Sequence, residues 1–360
     1  MPIQRVAVLG AGGGGRAAAH HLASRGLLVN LWEAPQFAEN LSDLRGGLLL
    51  DGHPDAFAPL ALLTTNLPAA VAGVDLVVAC VQRGSHRPLG EALAVCLTDD
   101  QRLLLNPGSL GGALEIAEIF RLAGRARPLI GETSTLAHCA RPTPGGVRIL
   151  LEVEFVRFAA FPASNTAPML AALQPYYRFF SPAHSVLETG LYNGNPVLHP
   201  AIALLNAAAI EHNDGTFRFY GDGMSPAVAR VIEAVDHERQ ALGRAFGFEL
   251  LAEPAVSRLQ RYGPTEDYLT CYRDSDIFGP LLAPSTLDHR YLHEDVGEGL
   301  ITWLALAEVA GVSLPTVEAL VTLAETVTGC DYRARKATRL AKLGLVQSDL
   351  TGMCEFVLAG

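Results

Sequence analysis

Five glycines within six positions, Gly10-Ala11-Gly12-Gly13-Gly14-Gly15, follow the apolar run IQRVAVL at residues 3–9. Alanine-rich, helix-forming sequence comes next, from Arg16 to Arg25. This is the G-x-G-x-x-G pattern in the context that gives it meaning, after a strand and at a helix start. The first glycine permits the tight turn, the second lets backbone approach a pyrophosphate, and the third lets helix and strand pack closely. The helix N-terminus then turns unbonded N–H groups toward the diphosphate. Ala17, Ala18 and Ala19 keep the first turns slim. Gly10, Ala11, Gly12, Gly13, Gly14 and Gly15 are therefore the expected cofactor-binding residues. A glycine-rich turn without a ligand is the alternative, and the surrounding sequence argues against it.

That surrounding sequence includes Glu33, at the end of the next apolar run, LLVNLWE at 27–33, and 18 residues beyond Gly15. A carboxylate there accepts hydrogen bonds from the adenine ribose hydroxyls and repels a 2′-phosphate. No basic residue follows until Arg45. The expected cofactor is NAD, with NADP disfavoured; the alternative is that Glu33 is a solvated strand end. Asn106-Pro107-Gly108 ends a later run. At the carboxyl edge of a parallel sheet such a turn lines the nicotinamide, although Pro-Gly is also ordinary turn chemistry.

Short apolar runs alternate with helical patterns through the first half of the chain. The runs are LALLT at 60–64, DLVVACV at 75–81, RLLLN at 102–106 and PLIGE at 128–132, with helices at 88–96 and 112–123 between them. This alternation predicts a doubly wound α/β Rossmann domain with a mostly parallel sheet. Residues 147–160 predict an antiparallel pair extending that sheet. Beyond about residue 185 the texture becomes helical, with patterns at 200–212, 226–246, 295–310 and 315–328. Two domains suit a chain of 360 residues: 1–185, the NAD-binding Rossmann domain, and 186–360, an all-helical domain.

A net charge of -10 disfavours nucleic acid and acidic membrane surfaces as partners. No run is apolar enough for a membrane span, and residues 1–9 are too short for a secretory h-region. Six scattered cysteines without a CxxC pair read as reduced thiols of a cytoplasmic protein.

The most unusual polar stretch is Tyr192-Asn193-Gly194-Asn195-Pro196-Val197-Leu198-His199-Pro200. Proline favours the first helical position, so Pro200 predicts a helix start with His199 at its N-cap. The helix terminus disfavours the imidazolium and a nearby carboxylate would favour it, which suits a general acid and base near neutral pH. Among 11 histidines, a surface or structural role is the alternative. A second polar stretch, residues 288–300, holds Arg290 and Asp295 ahead of an apolar helix. Asp295 could cap that helix and orient a histidine. Arg290 suits a substrate carboxylate, with Arg141 a second choice. His289 and His293 have the i,i+4 spacing of zinc ligands, but Arg290 occupies the Glu position of HExxH and no third ligand is evident, so no metal is expected.

These segments together resemble the opine dehydrogenase family, of the octopine and nopaline dehydrogenase type, over nearly the whole chain. They are GAGGGGRA at 10–17, LNPGSLGGALE at 105–115, GETST at 131–135, NPVLHP at 195–200, RYLHEDVGEGL at 290–300 and DYRARKATRLAKLGL at 331–345. The resemblance implies a Rossmann domain followed by an all-helical domain. It implies that His199 is the catalytic histidine, that Asp295 polarises it, and that Arg290 belongs with that pair and the substrate carboxylate. Asn195 would belong to the active-site turn and contact substrate. An amino acid and an α-keto acid such as pyruvate are the implied substrates, and some relatives are homodimers. Gly297 and Glu298 stand where many relatives carry proline or a small polar residue, and His138 where an aromatic is frequent; these departures bear on the amino-acid specificity.

Two rivals share the architecture. Relatives of ketopantoate reductase and the β-hydroxyacid dehydrogenases typically use a lysine early in the helical domain. The only lysines here are Lys336 and Lys342, so that chemistry lacks its residue, while 25 of the 27 basic side chains are arginines suited to carboxylates. A non-catalytic NAD sensor is the other rival, and it has no need for His199 and Asp295 to meet.

Overall fold

In a computed structural model, which describes residues 2–212, 214–346 and 349–360, the chain divides into two compact units. One comprises Met1–Gly190 with Val357–Gly360, the other Leu191–Phe356. The division thus lies five residues beyond 185, and the last four residues group with the first unit.

An eight-stranded sheet organises the first unit. Its strand order is Phe180–Pro182, Val156–Phe161, Leu129–Thr133, Arg102–Leu105, Leu76–Ala79, Arg5–Leu9, Leu28–Trp32, Leu62–Thr64. All neighbours are parallel except Val156–Phe161 against Leu129–Thr133. Central strands such as Val6–Leu9 and Leu76–Ala79 are wholly buried, which is why they read as continuous apolar runs rather than alternating ones.

Residues 147–160 depart from expectation. They do not form one antiparallel pair. Gly146–Glu152 pairs with His138–Thr143 in a separate four-stranded sheet, completed by Gly47–Leu50 and His53–Pro59. Phe155, at φ +53°, turns the chain away, and only Val156–Phe161 joins the large sheet. The small sheet packs on helix Gly13–Ala23 through Ala17, Ala140 and Val147. Ala17, Ala18 and Ala19 have no exposed surface. Larger side chains would hold the helix off the β-structure it packs on.

The second unit is helical. Helix Pro226–Ala245 packs against Asn195–Leu205, Ile301–Ala310 and Pro315–Thr328 over buried Ile202, Ile232, Val235, Leu242 and Leu320. Within this core Asp236 and Arg239 form an ion pair of 2.7 Å with virtually no exposure. Such a pair is tolerable only when its remaining hydrogen-bonding capacity is used. Arg239 donates to the carbonyls of Leu191 and Leu251, and Asp236 accepts from Glu253 N and the Tyr268 hydroxyl. The network pins the chain at Leu191, just ahead of the Asn193–Asn195 turn. No helix among the described residues is long and apolar enough to cross a membrane.

Candidate active site

Helix Asn195–Leu205 begins five residues earlier than expected, with Pro196 at its opening and Pro200 inside it. The rule that places proline in the first turn is obeyed by Pro196, not Pro200. His199 is therefore no N-cap. It sits one full turn into the helix, four residues after Asn195 and on the same face. The turn ahead is held tightly: Asn195 N donates to Asn193 Oδ1 at 3.2 Å, and a side chain at Gly194 would collide with the Glu253 carboxylate.

Asp295 differs likewise. It caps no helix but opens a π-helical turn, Asp295–Leu300, between helices Arg290–His293 and Ile301–Ala310. π-turns are rare and concentrate at functional sites. Here the wider turn is pressed close to the histidine helix. A Cβ on Gly299 would stand 2.7 Å from Pro196 Cγ, so glycine is what allows the approach. Glu298, on the same turn, is gripped by Arg339 at 2.5 Å and by Arg335. The C-terminal segment thus buttresses the turn.

His199 Nδ1 lies 2.7 Å from Asp295 Oδ2, and both residues are buried. Nδ1–H donates to the carboxylate, which leaves Nε2 as an acceptor. Nε2 lies 2.8 Å from the Tyr220 hydroxyl, which donates to it. The Tyr291 ring stacks on the imidazole with centroids 3.9 Å apart. Burial pushes His199 below the usual imidazole range; Asp295 acts in the opposite sense, and the Arg290 charge adds to the lowering. The resting imidazole is neutral, with a carboxylate ready to stabilise its charged form. Arg290, first in its helix, makes no ion pair among the described residues, and its buried Nε has no hydrogen-bond partner. An unmatched guanidinium beside a histidine is a ready receptor for a carboxylate.

The glycine turn in the first unit fits a dinucleotide. Gly10 has φ +99°, and a Cβ there would meet the Cys80 carbonyl. A Cβ on Gly15 would fall 1.7 Å from Gly10 O, whereas one on Gly12 meets nothing within 4 Å. That is open space at the position where backbone approaches pyrophosphate. The first helical bond runs from Arg16 N to Gly12 O, so the amides just before Arg16 are left to other acceptors. Glu33 is buried, not a solvated strand end. It accepts from Ala11 N at 2.9 Å, Ala34 N at 2.9 Å and Asn40 Nδ2 at 3.0 Å. A carboxylate has about four acceptor sites, so it ties down the glycine turn with capacity to spare for a hydroxyl.

Residues 182–328 match the family model described as NAD/NADP octopine/nopaline dehydrogenase, alpha-helical domain. The opine dehydrogenase of Arthrobacter sp. (strain 1C) is 32% identical over 352 residues, covering 94% of each chain. The chain belongs to the opine dehydrogenase family. It is accordingly an NAD(P)-dependent oxidoreductase acting on a CH–NH group. The fold agrees. A structure of octopine dehydrogenase in complex with NADH and agmatine has a TM-score of 0.79 at 20% identity, covering 98% of both chains. NADP+-bound yersinopine dehydrogenase has a TM-score of 0.69 at 14% identity, covering 99% of this chain and 98% of that one.

Several expected site residues of this opine dehydrogenase take different settings. Arg141 is exposed on the small sheet, its Cα 3.3 Å from where a Gly13 Cβ would stand. Its surroundings are the glycine turn. Asn106 is committed within its own unit, its Oδ1 accepting from Ala137 N at 3.0 Å and from the Thr133 hydroxyl at 3.3 Å. At Gly108 a Cβ would strike buried Glu132, whose carboxyl burial pushes up to about 7. Pro107, between them, completes a turn locked onto the GETST strand. His289 caps its own helix, and both His293 nitrogens are taken, by Asp288 and Tyr332. A different group, His21, His138 and Glu152, brings three potential metal ligands together. In it His138 Nε2 lies 3.2 Å from His21 Nδ1, and His21 Nε2 lies 2.7 Å from the Tyr176 carbonyl.

Two residues went unrecognised in the sequence. Arg16, inside the fingerprint, is buried and donates to the carbonyls of Ala11, Asn40, Thr143 and Gly146 and to Asp43. It binds glycine turn, small sheet and the loop after Glu33 into one block. Tyr220 lies 21 residues from His199, with no motif around it; only the fold brings it to Nε2.

Proposed function

We propose that this opine dehydrogenase condenses the α-amino group of an amino acid with an α-keto acid such as pyruvate and reduces the resulting imine to a secondary amine dicarboxylate, preferring NADH to NADPH. The observation that carries this reading is the buried His199–Asp295 pair beside the unmatched Arg290 guanidinium. Neutral His199 takes the proton of the substrate ammonium, freeing the amine to attack the keto carbon. It then returns a proton to the oxygen, which leaves as water. Asp295 stabilises the imidazolium between these events and fixes its tautomer. Arg290 holds a substrate carboxylate, and Asn195, on the same helix face as His199, contacts the substrate. A bound nicotinamide dinucleotide supplies the hydride. Gly10–Gly15 bind its pyrophosphate, Glu33 a ribose hydroxyl, and Asn106–Gly108 line the nicotinamide.

Solved octopine dehydrogenases bind NADH with L-arginine, agmatine or pyruvate, which supports the substrate class. The charge at Glu33 supports NADH. The six cysteines, all free, support a reducing cytoplasmic setting. The test is His199→Ala. It should bind NADH normally, by fluorescence titration, yet lose more than about 100-fold in turnover, the usual scale for removing a general acid–base. Near-normal turnover would reject the role.

A further inference from the structure

His199 offers no open nitrogen. Asp295 occupies Nδ1 at 2.7 Å, Tyr220 occupies Nε2 at 2.8 Å, and Tyr291 covers a ring face. A proton passing between His199 and a substrate therefore has two routes. Either Tyr220 leaves Nε2, or the proton passes through its hydroxyl.

The packing favours the second. Tyr220 is 3% exposed, stacked on Phe278 with centroids 4.9 Å apart and set edge-on to Phe219 at 5.1 Å. Its backbone is stapled as well. Phe219 N donates to Leu281 O, Ala283 N donates to Phe217 O, and Arg218 bridges to Leu282. A side chain at Gly223 would collide with the Phe219 carbonyl, which closes the turn behind the ring. Swinging the phenol away would break this aromatic stack and expose apolar rings to water.

We propose that Tyr220 is the residue that touches the substrate oxygen, relaying the proton between His199 Nε2 and the carbinolamine hydroxyl. This rests on the reading of His199 as the general acid–base. In the dehydration step the amine nitrogen's lone pair forms the C=N bond as the C–O bond breaks. The departing oxygen takes the phenolic proton, and Tyr220 simultaneously takes the Nε2 proton of the imidazolium. Water leaves, Tyr220 is again a phenol, and His199 is again neutral. A hydroxyl can both donate and accept, so it can reverse direction between two partners. The transfer has to be concerted, because a free phenolate is disfavoured here. Burial pushes the Tyr220 hydroxyl well above its ordinary range, and Tyr291, Asp295 and Glu253 act in the same direction against Arg290.

Tyr220→Phe removes the hydroxyl and keeps the ring. Its turnover should fall by about 100-fold, as for other proton-transfer groups, with KM for both substrates changed less than threefold. A proton inventory in mixed H2O and D2O should be curved for the parent enzyme and linear for the variant. Turnover equal to or above the parent's would overturn the relay and make Tyr220 a displaceable plug. The reading of His199 is judged separately: if His199→Ala is also active, that reading falls, and if only Tyr220→Phe is active, the relay alone falls. Should Tyr220→Phe fail to fold, a ring-fluorinated tyrosine at 220 keeps the shape with a more acidic phenol. It should move the pH dependence of kcat to lower pH, and an unmoved profile would contradict the relay.

Discussion

Burial by itself would leave the His199 imidazole a poor base, and Asp295 is what offsets it. This balance fixes the direction of a pH effect. In the reductive direction the neutral imidazole must first take the ammonium proton, so activity declines as pH falls through the histidine's pKa. Asp295→Asn removes the influence that raises that pKa and keeps the shape. The declining limb should move to lower pH, and turnover at neutral pH should drop by about 10²-fold or more, as expected when a histidine loses its orienting carboxylate. An unchanged pH profile of kcat would show that Asp295 is only structural. His199, Asp295 and Arg290 were legible in the sequence because they stand in compact polar stretches, amid prolines and charges that local physics flags. Tyr220 was not, because its neighbours Phe217 and Phe219 read as ordinary core, and its position comes from the long-range bridge at Leu282.

At the scale of elements, the central strands of the large sheet were legible as continuous apolar runs because they are buried on both faces. The small sheet was not. His138–Thr143 and Gly146–Glu152 are half-exposed and short, and the pairing of Gly146–Glu152 with Gly47–Leu50 spans some hundred residues. The π-helical turn was equally hidden, since its residues, DVGEGL, read as a plain helix start; only Gly299, facing Pro196, marks it in hindsight. Arg16 shows what the small sheet does for the cofactor unit, joining it to the glycine turn through one guanidinium. Arg16→Ala should destabilise the protein by about 2 kcal/mol. That is below the 3–5 kcal/mol of a fully buried broken pair, because Asp43 keeps a third of its side-chain surface. It should also weaken NADH binding while leaving the kcat of the saturated enzyme within a few fold. Calorimetry and NADH titration would check this, and unchanged affinity would contradict the linkage.

At the scale of the whole molecule, the change of texture near residue 185 reflects two ways of burying surface, a sheet with helices on it and helices on one another. The lysine distribution, with only Lys336 and Lys342 present, separates this chain from lysine-dependent relatives of the same architecture. In the proposed reaction its proton chemistry falls to His199. In that proposed reaction the keto acid is reduced only after joining an amino acid. The direct measurement is NADH oxidation with an α-keto acid alone, an amino acid alone, and both, across a panel of each. The account predicts oxidation only when both are present, with a secondary amine dicarboxylate as product. Rapid oxidation with the keto acid alone, giving a 2-hydroxy acid, would contradict it.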